Sequence, residues 1–422
     1  MDEPLTNTLT AQSNWKKNTA LFLSSQAVSL FGSMLVQYAI LWHITLSTES
    51  GVMMMVSIIC GFLPTFLLSP FAGVWADRYN RKLLIALADA GIAAATLVLV
   101  LLFWAGYQAL WLLFAISAVR AAGSGIQTPA VGALLPQIVP EEKLTTVNGT
   151  FGSMNAFMML VAPIVSAALL SFASIEIIFL IDVVTAAAAI AILLTWVAVP
   201  DHRGEAGKEP GGYFEEMKQG LRFIQNHVFL KQYFAFFALA FLLMAPAAFL
   251  TPLQVTRTFG GDYWRLTAIE IVFSIGMMAG GALIASWGGF RNRTHTLLLA
   301  CVLFGLCTVG LGVVPSFWVY LAIMGLAGVS APLINTPAQV ILQEKVDSAY
   351  MGRVFGVFSM ISTSMLPIGM LIFGPAADIV PVEWLLVGSG ALFSLMALWL
   401  AGSRALREAG KPLEPSGQEA AE

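Results

Sequence analysis

The sequence predicts an all-α membrane protein in which twelve transmembrane helices form two pseudo-symmetric six-helix bundles. The prediction depends on composition, on the number of long apolar runs and on an internal repeat. Of the 422 residues, 58% are hydrophobic and 11% are charged, and the mean hydropathy is +0.82. A soluble domain averages about 25% charged residues, so lipid must cover much of this apolar surface. In lipid, only helices and closed barrels satisfy every backbone hydrogen bond.

Apolar runs of spanning length, rather than short alternating segments, favour helices over a barrel. The predicted spans are 18–46, 50–75, 83–104, 108–131, 146–172, 175–199, 229–253, 266–288, 294–314, 316–338, 352–376 and 384–404. The polar stretch 200–228 carries apolar residues at helical spacing, which predicts a linker with an amphipathic surface helix. The predicted organisation is a cytoplasmic tail (1–17), a first bundle (18–199), this linker (200–228), a second bundle (229–404) and a second cytoplasmic tail (405–422).

The distribution of lysine and arginine predicts the orientation, because positive residues favour the cytoplasmic side of a membrane. Of the 21 such residues, 18 lie on the side that holds both predicted tails. Only Arg257 and Arg265 lie on the other side, and Arg120 falls within a span. Both termini are therefore predicted to be cytoplasmic.

Two short segments recur at nearly one offset. Residues 124–130 (Ser-Gly-Ile-Gln-Thr-Pro-Ala) end the predicted fourth span, and residues 333–338 (Leu-Ile-Asn-Thr-Pro-Ala) end the tenth. Asn80–Arg81 after the second span likewise recurs as Asn292–Arg293 after the eighth. Parallel six-helix repeats are a transporter architecture, whose substrate site lies near mid-membrane between the repeats.

The loop between the second and third spans carries a family motif. Gly73, Asp77, Arg78, Arg81 and Lys82 match the G-x-x-x-D-R-x-x-R-K pattern of the major facilitator superfamily, which the chain resembles. We expect Gly73 to let two helices approach closely and Asp77 to face the positive N-terminus of the span that begins near 352. The three basic residues are expected to hold the loop at the cytoplasmic surface.

More narrowly, the chain resembles the macrolide efflux branch of that superfamily over about residues 14–405. The similar stretches are 26–30, 139–145, 277–281 and 350–355. The resemblance implies proton-driven export of large, mostly apolar compounds across the bacterial cytoplasmic membrane. Two antiporter patterns of the superfamily are only partial here: the fourth span keeps Arg120 and its glycines, and the fifth has small residues where glycine is usual.

Three charged residues within the spans are candidates for proton coupling. A charge at mid-membrane costs roughly 2.5–3.5 kcal/mol on the insertion scale, so each one requires a reason. Arg120 is the deepest, and Asp182 and Glu270 are the acids best placed to take up a proton, because desolvation favours the neutral carboxyl. The alternatives are a structural partner for Asp182 and an interfacial position for Glu270. Asp89 is expected near the cytoplasmic surface.

A polar stripe on the first span is a candidate for the substrate path. Its residues recur at helical spacing, and two asparagines of later spans have the same interpretation. The alternative role is hydrogen bonding between helices. The candidates are Gln26, Ser29, Ser33, Gln37, Asn155 and Asn335.

The sequence predicts a transporter and no catalytic, metal or cofactor site. It contains no nucleotide-binding G-x-x-x-x-G-K-[ST] segment and no H-E-x-x-H pair. A net charge of −3 disfavours a nucleic-acid partner. The leading hypothesis is a monomeric, proton-coupled exporter of small amphipathic drugs that works in the lipid bilayer. An exporter of an endogenous metabolite such as a siderophore is the second hypothesis, and a membrane-embedded sensor or enzyme is a third that no motif supports.

Overall fold

Among the residues that the structure describes, twelve helices are long and apolar enough to cross a membrane. The computed structural model describes residues 15–199, 222 and 224–411, without the side chains of Pro70, Asp77, Ser348 and Ala349. Most of the predicted linker (200–228) and most of both predicted tails lie outside these residues. The helices are α1 (Trp15–Thr48), α2 (Gly51–Arg78), α3 (Arg81–Trp104), α4 (Leu110–Ile138), α5 (Leu144–Phe172), α6 (Ile175–Trp196), α7 (Val228–Phe249), α8 (Tyr263–Trp287), α9 (Arg293–Val313), α10 (Phe317–Lys345), α11 (Ser348–Ile379) and α12 (Val382–Gly402).

These helices confirm the predicted all-helical, twelve-span fold. Among the described residues there is no strand, and two short helices, Thr251–Phe259 and Arg404–Ala409, follow α7 and α12. Large apolar side chains such as Trp111 and Trp384 remain about two-thirds exposed. An outer surface of this kind requires lipid rather than water around it.

The chain divides into two units that repeat one pattern of helix packing. The first unit contains α1, α3–α6 and most of α2, and the second contains α7, α9–α12 and most of α8. In the first unit α3 packs on α4 and α6, and α1 packs on α5 and α6. In the second unit α9 packs on α10 and α12, and α7 packs on α11 and α12. Adding six to each helix number of the first unit gives the second, as a duplicated bundle requires.

The repeated asparagines perform the same local task in both units. The side chain of Asn80 accepts a hydrogen bond from the Leu83 amide, and that of Asn292 accepts one from the Thr294 amide. Each asparagine therefore caps the N-terminus of the helix after the motif loop, where the first amides have no partner within the helix. The recurrence at 80 and 292 consequently has a structural cause.

Two predicted helix ends were wrong for the same reason. The fourth span was expected to end near residue 131 and the tenth near 338, but α4 continues to Ile138 and α10 to Lys345. Both helices pass through two prolines, Pro129 and Pro136 in α4 and Pro332 and Pro337 in α10. A proline removes one backbone hydrogen bond, and neighbouring helices can hold a membrane helix together across that gap.

Candidate functional site

A buried ion pair lies inside the first unit. The guanidinium of Arg120, on α4, contacts the carboxylate of Asp182, on α6, with both side chains almost fully buried. Removing two charges from solvent is costly, and their attraction offsets this only when the geometry is good and the remaining hydrogen bonds are made. The pairing of these two predicted coupling residues is therefore the central feature of the site.

Two further helices satisfy the remaining donors of Arg120. Its Nη1 donates to the hydroxyl of Thr96 on α3 over 3.0 Å, and its Nη2 donates to the backbone carbonyl of Ser33 on α1 over 3.2 Å. The Thr96 hydroxyl in turn donates to the Ile92 carbonyl over 2.9 Å. We call Arg120, Asp182, Thr96 and the Ser33 carbonyl the arginine cluster. It ties α1, α3, α4 and α6 together with charge-assisted hydrogen bonds.

A second carboxyl, that of Asp89 on α3, is also buried inside the first unit. Asp89 is 3% exposed, and its Oδ1 accepts hydrogen bonds from the Ser29 hydroxyl (2.9 Å) and from the Gln127 amide (2.8 Å). Among the described residues it makes no ion pair. The expected position of Asp89 near the cytoplasmic surface stays a prediction, while Ser29 on α1 and Gln127 on α4 cover its side chain. Asp89, Ser29 and Gln127 form what we call the Asp89 cluster.

The two clusters occupy successive layers of the bundle. Thr96 follows Asp89 by seven residues on α3, and Gln127 follows Arg120 by seven on α4. Seven residues are two helical turns, so each pair shares one face of its helix. Because α3 and α4 are antiparallel neighbours, Thr96 meets Arg120 in one layer and Asp89 meets Gln127 in the other. This matched spacing is a sequence signal that identifies Asp89 and Gln127, and it is visible only when the two spans are compared with each other.

Polar candidates of the first span fall into two groups. Gln26 and Ser29 are buried, and only Ser29 joins a cluster through its side chain. Ser33 is partly exposed and contributes its carbonyl, whereas Gln37 is exposed. The exposed residue stays a candidate for the substrate path, while Ser29 hydrogen bonds between helices.

The candidates of later helices are not brought into these clusters. Asn155 donates to the Phe151 carbonyl of its own helix over 2.8 Å, and Asn335 is exposed. Glu270 on α8 is partly exposed and makes no hydrogen bond or ion pair with any described residue. Its role in coupling stays a prediction.

The loop motif serves the ends of other helices. Arg81 donates to the Ala133 carbonyl on α4 over 2.9 Å, and the Lys82 ammonium donates to the carbonyls of Leu194 and Val197 at the end of α6. Cations suit these positions because the C-terminus of a helix carries partial negative charge. Arg78 is exposed.

Two expectations for the motif stay predictions. A Cβ built at Gly73 meets no described atom of the first unit within 4 Å, and the expected close approach of two helices there stays a prediction. The side chain of Asp77 lies outside the described residues, and its predicted contact with a helix N-terminus stays a prediction.

The second unit lacks a counterpart of the arginine cluster among its described residues. Thr308 on α9 follows Thr96 by 212 residues, the spacing of Asn80 and Asn292, and it donates to its own helix in the same way. Where Asp182 lies beside Thr96, Gly390 of α12 lies beside Thr308, with an added Cβ only 2.9 Å from that side chain. The two bundles therefore share one pattern of helix packing, while the buried ion pair of the first has no counterpart among the described residues of the second.

Within the described part of the chain, no group of three histidine, cysteine, aspartate or glutamate side chains is placed to hold a metal ion. The ionisable groups of the site instead lie in two layers. Asp182 contacts the Arg120 guanidinium in one layer, and Asp89 accepts hydrogen bonds from neutral donors in the other. Such an arrangement suits proton binding and charge compensation within a helix bundle.

Comparison with known proteins gives one consistent result. The profile of the Major Facilitator Superfamily matches residues 19–370. Macrolide efflux protein A of Streptococcus pyogenes is 30% identical over 390 residues, which cover 91% of this chain and 95% of that protein. The staphyloferrin A transporter of Staphylococcus aureus is 22% identical over 86% of this chain and 90% of its own length.

Solved structures agree on the fold. The crystal structure of a bacterial homologue of the human lysosomal transporter Spinster superposes with a TM-score of 0.70. It covers 95% of this chain and 99% of its own length at 12% sequence identity, so the likeness concerns the fold alone.

Proposed function

Because the chain belongs to the major facilitator superfamily, we propose that it exports macrolide-like or other amphipathic drugs across the bacterial cytoplasmic membrane in exchange for protons. Family membership makes it a multi-pass membrane transporter and not an enzyme. The observation that carries the drug-export proposal is the 30% identity to macrolide efflux protein A over nearly the full length of both chains.

The buried charges support the proton-exchange part of the proposal. A bundle that only packs has no need of intramembrane ions, and such residues mark ion or proton pathways in many transporters. Arg120 and Asp182 form an ionised centre among four helices, and Glu270 is a separate carboxyl in the second unit. These residues are our candidates for a part in proton coupling, and the polar side chains that remain exposed, such as Gln37 and Asn335, are our candidates for the substrate path.

The direct test is drug accumulation in a bacterium that lacks its own efflux pumps. We expect cells that express the protein to accumulate less labelled macrolide than cells with an empty vector. A protonophore should remove this difference, because the proton gradient supplies the driving force. A second label, on a hydrophilic sugar, controls for changes in membrane permeability.

The two parts of the proposal fail separately in this assay. Equal macrolide accumulation with and without the protein would contradict drug export. Reduced accumulation that survives the protonophore would retain export and contradict proton exchange.

A second candidate function is export of an endogenous metabolite of the siderophore type. The observation that favours it is the 22% identity to the staphyloferrin A transporter over most of both chains. Comparison of the metabolites in the medium of expressing and non-expressing cells tests this alternative. A secreted metabolite, together with unchanged macrolide accumulation, would replace the leading proposal.

We also propose that both termini are cytoplasmic and that one chain suffices for transport. Cysteine labelling tests the orientation. In a variant without native cysteines, a membrane-impermeant maleimide should label Tyr107→Cys, in the loop after α3, in intact cells. Lys411→Cys should react only after the cells are opened; both positions are exposed, so accessibility differs only by side. The reverse pattern would contradict the orientation.

A further inference from the structure

Inside the first unit, acidic side chains outnumber basic side chains by one. Away from the ends of α1–α6, the residues of formal charge are Asp89, Arg120 and Asp182. Arg120 and Asp182 compensate each other in direct contact. One buried carboxyl, that of Asp89, is left without an ionic partner among the described residues.

The surroundings of Asp89 fit a carboxyl that changes its charge. Ser29 and Gln127 both donate to Oδ1, so no described residue donates to Oδ2. The ionised form keeps two neutral donors, while the protonated form carries its proton on Oδ2 and removes a buried charge from the bundle. Neutral donors favour the anion and burial opposes it, so both forms are within reach.

The ionisable groups around Asp89 come from two helices. Asp182, on α6, repels the Asp89 carboxylate, and Arg120, on α4, attracts it. On α1, the neighbouring Ser29 side chain is neutral. The charges of Arg120 and Asp182 act on the Asp89 carboxyl in opposite senses, in addition to its burial and its two neutral donors.

We infer that Asp89 is the carboxyl that takes up and releases the exchanged proton, an inference that rests on the proposed proton antiport. Asp182 is then the ionic partner of Arg120, and the pair positions α3, α4 and α6 around Asp89. The exchanged proton moves from water to Oδ2 of Asp89 and returns to water, with no other bond made or broken. Gln127, which donates to Asp89, is itself partly exposed.

The distance of Asp89 from the end of its helix suits this role. It is the ninth residue of α3, which places it about 12 Å along the axis from Arg81 at 1.5 Å per residue. Ser29 on α1 and Gln127 on α4 cover the carboxyl and separate it from bulk water. Asp89 lies about two helical turns from Arg81, the basic residue of the motif loop at which α3 begins.

Infrared difference spectroscopy of the purified full-length protein tests the inference without any substrate. As the pH is changed across neutrality, we expect the carbonyl stretch of a protonated carboxylic acid to appear and disappear. Asp89→Asn should remove the part of this signal that comes from Asp89, whereas Glu344→Gln, which neutralises a carboxylate paired with Arg293 at the end of α10, should retain the whole signal. Asp89→Glu, which keeps a titratable group, should restore a carboxylic-acid signal.

Either of two infrared results would overturn the inference. One is a wild-type protein with no titrating carboxylic acid, and the other is an unchanged signal in Asp89→Asn. The amide introduced by Asp89→Asn can still accept the hydrogen bond of Ser29 and carries no charge, so we expect this variant to insert and fold. Its elution and thermal unfolding profiles in detergent, compared with those of Asp89→Glu, verify this.

A transport arm separates this inference from the proposed function. In cells that export macrolide, Asp89→Asn should lose the protonophore-sensitive gradient and retain flux down a drug gradient. Uphill export at the wild-type level by Asp89→Asn would overturn the role of Asp89. If the wild-type chain moves no macrolide, drug export fails as a function, and the infrared titration still decides whether Asp89 exchanges protons.

Discussion

Neutralising one member of the buried ion pair is expected to destabilise the protein far more than neutralising both. Arg120→Gln and Asp182→Asn should each lower the free energy of unfolding by about 3–5 kcal/mol, because each leaves an uncompensated buried charge. The double variant should recover most of this loss, since two neutral side chains of similar size can hydrogen bond to each other. The two sites are in contact, so their effects should be strongly non-additive.

Thermal unfolding in detergent, followed by the fraction of protein that stays monodisperse, measures the stability of the wild type, the two single variants and the double variant. These four proteins form a double-mutant cycle. A matched control is Arg78→Gln, which removes an exposed arginine of the loop motif. It should change the unfolding temperature little, because exposed charges contribute weakly to stability. Additive losses in the double variant would contradict a paired arrangement of Arg120 and Asp182.

The cycle also separates stability from coupling. If Asp89 exchanges the proton, the folded double variant should retain the carboxylic-acid signal of Asp89. If Asp182 exchanges it, that signal should disappear together with the pair. The same four proteins therefore distinguish a positioning role for Arg120 and Asp182 from direct proton binding.

Hydropathy and the internal repeat were sufficient to predict the fold, because lipid leaves few choices for a spanning chain. A run of apolar residues must form a helix wherever its backbone cannot bond to water. The ends of α4 and α10 were less predictable, since the prolines in these helices weaken a local hydrogen bond without deciding where the helix stops. Their continuation depends on neighbours that local propensity does not describe.

The candidate site was predictable in its members and not in its contacts. Arg120 and Asp182 could be selected because charge in a span is costly, but their pairing depends on how α4 and α6 are rotated against each other. Asp89 was not selected because it was expected near the cytoplasmic surface, and its burial depends on Ser29 and Gln127 on other helices.

Adding a single methyl group to α12 is expected to have opposite effects at two positions two residues apart. A Cβ at Gly390 would lie 2.7 Å from the Gly305 carbonyl oxygen and 2.8 Å from the Val309 amide nitrogen, both backbone atoms of α9. A Cβ at Gly388 meets no described atom within 4 Å. Gly390→Ala should therefore cost roughly 1–3 kcal/mol by forcing the helices apart. Gly388→Ala should be neutral or stabilising by up to about 1 kcal/mol, because alanine favours a helix over glycine.

The unfolding temperatures of the two alanine variants in detergent, with Gly390→Leu as a larger addition, check this expectation. Equal shifts for Gly388→Ala and Gly390→Ala would mean that α9 and α12 are not in close contact at Gly305. The result bears on the asymmetry between the units, since α9 and α12 are the counterparts of α3 and α6. In the first unit this helix pair is joined by Asp182 beside Thr96, a polar contact that ties stability to charge. In the second unit Gly390 lies beside Thr308 and the helices meet backbone to backbone, so that pair should respond to added volume and be insensitive to pH.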